Sequence, residues 1–228
     1  MSLLSMGLEK CGLASDEIST LEGKMDSYIN EIILFNSAYN LTNTSDHDEL
    51  VIRHILDSLA AYGPIKALLQ ELEVQTSSSD LLIADIGSGG GLPGIPLAAA
   101  FPQYKFNMVE RMSKRCAFLE NCAAILGLKN VEVICSEAEK VPEKKYDLIT
   151  FRAFRPLDQA MTKTLLKIVK DGAYLCAYKA KMDSITEEMQ GIKNLVPEYK
   201  VQELFVPGLE DSQRNLVVIK NKIQNMEY

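Results

Sequence analysis

Apolar positions along the chain follow two different periods, and the change falls at a short polar stretch. Between Ser15 and Tyr62 they recur at helical spacing: Leu21, Met25, Ile29, Ile32 and Ile33 first, then Leu50, Val51, Ile55 and Leu59. Ser15 ahead of Asp16 and Glu17 reads as an N-cap with acidic residues in the first turn, so the spacing predicts a helix over about 16–38. A second helix is predicted over about 46–62, ended by Gly63-Pro64, and a shorter one over about 65–72. Gln75 to Asp80 (QTSSSD) is the one clear polar linker.

Beyond the linker, short apolar runs alternate with longer amphipathic ones. The runs predict strands over 81–86, 105–109, 131–135, 147–151 and 173–178. Between them lie helices over 94–101, 113–126 and about 157–169, the second closed by Gly127. Such alternation predicts an α/β fold with a mostly parallel, doubly wound sheet. Segments 200–206 and 215–220, joined by a Pro-Gly loop, predict a closing hairpin and an antiparallel last strand. The expected organisation is an N-terminal helical extension (1–74), a linker (75–80) and a main domain (81–228), forming one structural unit overall.

A chain of 228 residues, 47% of them hydrophobic, is long enough for one α/β core and too apolar for a disordered chain. No apolar stretch approaches the roughly 20 residues that span a bilayer, and no basic leader opens the sequence. A cytoplasmic monomer without membrane contact is expected. Five cysteines, an odd number without any C-x-x-C pair, and two histidines predict reduced thiols and no metal site.

The formal charge of −7 argues against a polyanionic partner on average, but binding depends on the local field. Residues 1–100 carry 4 basic and 14 acidic side chains, whereas 101–228 carry 20 and 17. The acidity therefore belongs to the first half. Residues 144–181 hold nine basic and three acidic side chains, so a cationic surface is available to a phosphate backbone.

The strongest chemical signal is Asp85 to Gly94 (DIGSGGGLPG), set between the first strand and its helix. Glycines there let the backbone turn through positive φ and let a ligand approach, while the helix N–H groups attract an anion. Gly89-x-Gly91-x-x-Gly94 formally satisfies a dinucleotide fingerprint. Asp85-x-Gly87-x-Gly89, with the acid closing the strand, is instead the pattern of S-adenosylmethionine sites, in which Asp85 serves the ammonium and the loop N–H groups the carboxylate. Glu110 ends the next strand, where a carboxylate accepts ribose hydroxyls in either case. Ala138 and Glu139 follow the third strand, at the expected adenine edge.

Asn40-Leu41-Thr42, Arg53 to Ser58 (RHILDS), Asp85 to Pro96, Lys114 to Leu119 (KRCAFL) and Arg152-Ala153-Phe154 occur in order and with ordinary spacing. Together they resemble the glucose-inhibited division protein B family of bacterial methyltransferases, over roughly residues 25–181. The resemblance implies a Rossmann-like class I methyltransferase that uses S-adenosylmethionine to methylate N7 of a guanine in 16S small-subunit ribosomal RNA, free or in an assembling particle. It implies cofactor contacts at Gly87, Leu92, Ala138, Glu139 and Arg152, with Glu110 as the ribose acid. Arg155 departs from the family, which usually has a small residue there.

Guanine N7 bears a lone pair and no proton, so transfer needs positioning and electrostatics rather than a general base. The pocket candidates are Asn40, His54, Asp57 and Arg152, without an assigned proton-transfer residue. The RNA-contact candidates are Arg53, Lys114, Arg115, Arg155, Lys179 and Lys181. Two other classes compete: a nicotinamide-dependent oxidoreductase, on the formal glycine match, and a noncatalytic nucleotide-binding regulator acting through the acidic helices.

Overall fold

The computed structural model describes residues 1–222. Helices α1 (Leu3–Lys10) and α2 (Ser15–Tyr39) open the chain. A helical run follows, made of α3 (His47–Leu50), a π-helical segment (Val51–Leu56) and α4 (Asp57–Leu59), and then α5 (Tyr62–Thr76). The rest alternates: β1 (Leu82–Ile86), α6 (Gly94–Ala100), β2 (Lys105–Glu110), α7 (Ser113–Ile125), β3 (Val131–Cys135), β4 (Tyr146–Arg152), α8 (Gln159–Ile168), β5 (Val169–Lys179) and α9 (Met182–Gly191). The closing hairpin is β6 (Lys200–Glu203) and β7 (Asn215–Lys220).

Local chemistry accounts for most boundaries. Asp46, where the spacing predicts a helix to begin, caps α3 by accepting the Glu49 N–H at 2.9 Å. For α2 the cap is Ala14, not Ser15; Glu17 reaches back to accept the Ala14 N–H at 2.9 Å. Gly63-Pro64 does not end a helix but lies in the first turn of α5, where Pro64 forfeits no helical bond because that turn's N–H groups lack intrahelical acceptors. Consequently α5 absorbs Gln75 and Thr76, and Ser77, at φ 52°, stops it. Helix α1 has no counterpart among the predicted elements. It is capped by Ser2, and buries Leu4 and Leu8.

The seven strands run in the order β3-β2-β1-β4-β5-β7-β6. All pairings from β3 to β5 are parallel, and β7 lies antiparallel between β5 and β6, so the doubly wound sheet and its antiparallel last strand are both present. Strand order reverses between β1 and β4. Because parallel crossovers are right-handed, moving outward in opposite directions from that point puts α6 and α7 on one face and α8 on the other. A crevice opens beyond the carboxyl ends of β1 and β4, where ligands of such sheets bind.

The N-terminal helices share the sheet's core. One contiguous cluster runs from Leu4 and Leu8 through Tyr28, Ile29 and Leu50 to Ile83, Phe106, Leu119 and Leu148. Helix α2 packs on α6 and α7, and its fully buried Tyr28 donates its hydroxyl to the Gly90 carbonyl in the glycine loop. Tyr28 shares the buried face with Met25 and Ile32, three and four residues away, although the aliphatic pattern does not name it. Tyr28→Phe leaves that buried carbonyl unpaired and is expected to cost about 1–3 kcal/mol in urea unfolding; unchanged stability would show that solvent replaces the hydroxyl.

Candidate active site

The chain turns from Gly87 to Pro93 between β1 and α6. Gly87 has φ +70°, and the Phe154 ring covers its open face so closely that a Cβ there would lie 2.1 Å from Phe154 Cδ2. The loop is tied on both sides. Gly89 N–H donates to Glu110 Oε2 at 2.9 Å, Gly87 N–H donates to the Val109 carbonyl at 2.8 Å, and Leu41 packs against Gly90.

Glu110 is buried at the end of β2, and its other oxygen accepts the Arg111 and Met112 N–H groups, each at 2.9 Å. Three backbone donors occupy three of a carboxylate's roughly four acceptor sites, which leaves one. The adjoining cleft, about 190 Å³, is lined by Gly87, Glu110, Arg115, Ala138, Glu139 and Phe154 among others. A second cleft of about 480 Å³ lies on the other side of Ala153-Phe154-Arg155, lined by Asp57, Arg152, Tyr178, Lys179 and Arg214. Those three residues form a strap between the clefts. Ala153 is held at φ +51°, and Arg155 lies over the Phe154 ring while approaching Glu139 to 3.7 Å.

Asp57 organises the larger cleft. Its buried carboxylate accepts Arg152 Nη1 at 2.5 Å and Arg214 Nε at 2.9 Å, so one anion holds two guanidiniums. Arg152 also places Nη2 3.4 Å from His54 Nδ1. His54 thus presents an acceptor to a cation. Burial, reinforced by the Arg152 charge, lowers its pKa from 6.5 to about 4, and the ring is neutral at neutral pH. The π-helical segment carries His54 and leads straight into Asp57, so the two side chains converge on the end of β4.

The remaining predicted residues fall into three places. Asp85 lies beneath the loop: Oδ2 accepts the Gly94 N–H at 3.1 Å, and Oδ1 lies 3.5 Å from Thr150 Oγ1. Leu92 is buried in the core cluster. Asn40 is an exposed left-handed C-cap of α2, whose carbonyl is 3.5 Å from Arg115 Nη2. Arg115 lines the glycine-loop cleft, and its buried Nε has no hydrogen-bond partner among the described residues. Lys179 donates to Glu188 at 2.6 Å, and Glu188 also accepts the Leu157 N–H, so this carboxylate ties α9 both to the end of β5 and to the segment after β4. Arg53, Lys114 and Lys181 are exposed; Arg53 lies 3.9 Å from Glu49.

Sequence reasoning missed Arg214, Tyr178 and the strap role of Phe154. Arg214 is 157 residues from Asp57, in the β6–β7 connection, and no local pattern marks it. Phe154 was visible only as part of a three-residue motif.

Strand order, switch-point crevice and glycine loop together define a Rossmann-like fold of the S-adenosylmethionine-dependent methyltransferase class. Two solved structures share that fold at a TM-score of 0.50 and 15% identity: an O-methyltransferase from Thermotoga maritima, covering 71% of this chain and 67% of that one, and a tRNA methyltransferase from Aquifex aeolicus, covering 67% and 68%. The family model for rRNA small subunit methyltransferase G (GidB) matches residues 21–217, and the chain belongs to that family. The ribosomal RNA small subunit methyltransferase G of Treponema denticola is 39% identical, with 96% of this chain and 93% of the relative aligned. That of Neisseria meningitidis serogroup B is 34% identical over 96% and 97%.

Two buried groups link folding to pH in opposite senses. Burial raises the Asp85 pKa from 3.8 to about 7, against the Gly94 N–H and Arg152, which lower it. The folded chain then keeps a proton that the unfolded chain releases, and this group's contribution to stability falls as pH rises from about 4 to 7. His54 does the reverse: the unfolded chain takes up a proton that the folded chain refuses, so its contribution is lost as pH falls from about 6.5 to 4. Asp85→Asn removes only the first effect. Its stability relative to the parent is expected to improve as pH rises across 4–7 in denaturant titrations; a constant difference would put the Asp85 carboxyl at its ordinary value. Asp57→Ala leaves two guanidiniums without their shared anion and is expected to cost about 3–5 kcal/mol, with a loss under 1 kcal/mol showing that water re-solvates them.

Proposed function

We propose that this chain methylates N7 of a guanine in 16S small-subunit ribosomal RNA, using S-adenosylmethionine. The observation that carries the reading is the pair of clefts meeting at Ala153-Phe154-Arg155, one built on the glycine loop and the other on cationic side chains. Family membership and the names of the relatives support the same reaction.

The residues of the smaller cleft suit the cofactor. Gly87 and Gly89 let it reach the loop backbone, the remaining acceptor site of Glu110 takes a ribose hydroxyl, and Ala138 and Glu139 flank the adenine. Arg115, with an unpartnered Nε among the described residues, takes the carboxylate. Leu92 shapes the loop from the core side, and Asp85 acts on the ammonium only through the Gly94 turn that it anchors. When bound, S-adenosylmethionine supplies a methyl group on an electrophilic sulfonium. The Phe154 ring covers the open face of Gly87, so a cofactor tail held at that glycine would have to displace the strap.

The larger cleft positions the base. Asp57 partly offsets the Arg152 charge while sharing its carboxylate with Arg214, so it would reduce, though not cancel, the repulsion between this guanidinium and a sulfonium. Neutral His54 holds Arg152 in orientation. No side chain has to remove a proton, because guanine N7 has none, and catalysis rests on alignment. Asn40 supports the loop from outside through the Leu41 contact with Gly90. Arg53, Lys114, Arg155 and Lys181 meet phosphates, whereas Lys179 is committed to Glu188. A chain of net charge −7 binds such a polyanion weakly, which favours a structured, assembling particle in the cytoplasm as the target of a monomeric enzyme.

Labelled methyl transfer to unmodified small-subunit RNA and particles, followed by N7-specific strand cleavage, tests the reading. One cleaved guanine is expected. Tight NAD binding without any response to S-adenosylmethionine would favour the oxidoreductase, and absence of transfer to RNA in either form the regulator. Gly87→Val drives a branched side chain into Phe154 at a positive φ, and cofactor affinity should fall at least about tenfold, 1.4 kcal/mol; retained affinity would move the site elsewhere.

A further inference from the structure

One pair of thiols lies in contact just behind the glycine-loop cleft. Cys116 is buried in the first turn of α7, and Cys135 is the exposed last residue of β3. Their sulfurs are 2.7 Å apart. That is well inside the ~3.5–4.0 Å of ordinary non-bonded carbon contacts, and about 0.7 Å beyond the ~2.04 Å of a disulfide. The pair adjoins Glu110: Cys116 Sγ donates to the Glu110 carbonyl at 3.2 Å, and Cys135 is the register partner of Glu110 across β2 and β3.

We infer that Cys116 and Cys135 form a peroxide-sensitive thiol pair, closing to an intrachain disulfide that weakens cofactor binding in the neighbouring cleft. The second half of this statement rests on the cofactor reading of that cleft. The order of events follows from exposure. The Cys135 thiolate attacks the peroxide, forming an S–O bond as the O–O bond breaks and hydroxide or alkoxide departs. The Cys116 sulfur then attacks the Cys135 sulfur; the S–S bond forms, the S–O bond breaks, and the leaving hydroxide takes the Cys116 proton as water. Two thiols lose two electrons, and the peroxide gains them. Burial, with the Cys135 sulfur beside it, pushes the Cys116 thiol up to about 12, which agrees with the exposed Cys135 reacting first and Cys116 resolving it.

The bond acts on the cleft through Glu110 and the end of β3. Cys116 gives up the S–H that it donates to the Glu110 carbonyl. The Glu110 carboxylate holds the N–H groups of Gly89, Arg111 and Met112, and Cys135 runs directly into Ser136 to Glu139, the opposite wall. Drawing the two sulfurs together shifts both walls.

Treatment of the full chain with hydrogen peroxide, alkylation of free thiols, and peptide mass analysis without reduction tests the pair. The expected product is a Cys116–Cys135 peptide pair lacking two hydrogens, reversed by dithiothreitol. Calorimetric titration with S-adenosylmethionine should show affinity about tenfold weaker after oxidation and restored after reduction, with Cys135→Ser insensitive to peroxide. Oxidation of Cys135 that stops at the sulfenic or sulfinic acid, or a bridge between chains, overturns the pair. An intrachain bond that leaves affinity unchanged overturns the coupling to the cleft. Failure of the reduced chain to bind cofactor at all would count against the cofactor reading instead, since the mass analysis decides the disulfide by itself.

Discussion

The arrangement of the catalytic half depends on one buried carboxylate serving two guanidiniums. Asp57 arrives from the helical run, Arg152 from the end of β4 and Arg214 from the β6–β7 connection, so a single ionic junction fixes three distant parts of the chain. Its charges are well shielded from water, with Asp57 the most buried of the three. Breaking such a junction strands charge in a poorly solvated place, whereas completing it contributes mainly geometry. That geometry defines the larger cleft. It also bears on His54, whose imidazole is kept neutral first by burial and then by the fixed Arg152 cation that it faces.

A second constraint comes from backbone N–H groups. The glycine-loop N–H groups turn back on the protein: Gly87 and Ser88 donate to the Val109 carbonyl, and Glu110 collects one donor from the loop and two from the chain after β2. Tyr28 supplies the complementary donor to the Gly90 carbonyl from α2. The helical extension is thereby part of the site's support. Its acidic surface coexists with a mainly apolar inner face that joins the sheet's core and carries the buried Tyr28 hydroxyl and Asp57 carboxylate.

Much of the fold was legible in local pattern. Short continuous apolar runs bounded by polar turns mark strands buried on both faces, and every strand predicted from them is present, with boundaries shifted by a few residues at β5 and β6. The errors came where a residue's usual preference is satisfied in an unexpected place. Gly63-Pro64 begins a helix because proline suits a first turn as well as a stop, and α1 is too short for its periodicity to stand out. Within the site, Gly87, Glu110, Ala138 and Glu139 line one cleft as their positions after β1, β2 and β3 suggest, because strand ends in a parallel sheet meet along one edge.

The amino-acid sequence by itself therefore determined the α/β alternation, the glycine loop and the strand-end acid, all features set by neighbours within a few residues. Tertiary structure alone decided which charges are free and which are spent. Lys179 and Glu188 neutralise one another, Arg115 turns into a cleft rather than toward solvent, Arg214 joins Asp57 from across the chain, and Cys116 meets Cys135. The physical reason is that hydrophobic period and turn chemistry act over one or two turns of backbone. Charge pairing acts through space, and its partners are known only once the chain has closed.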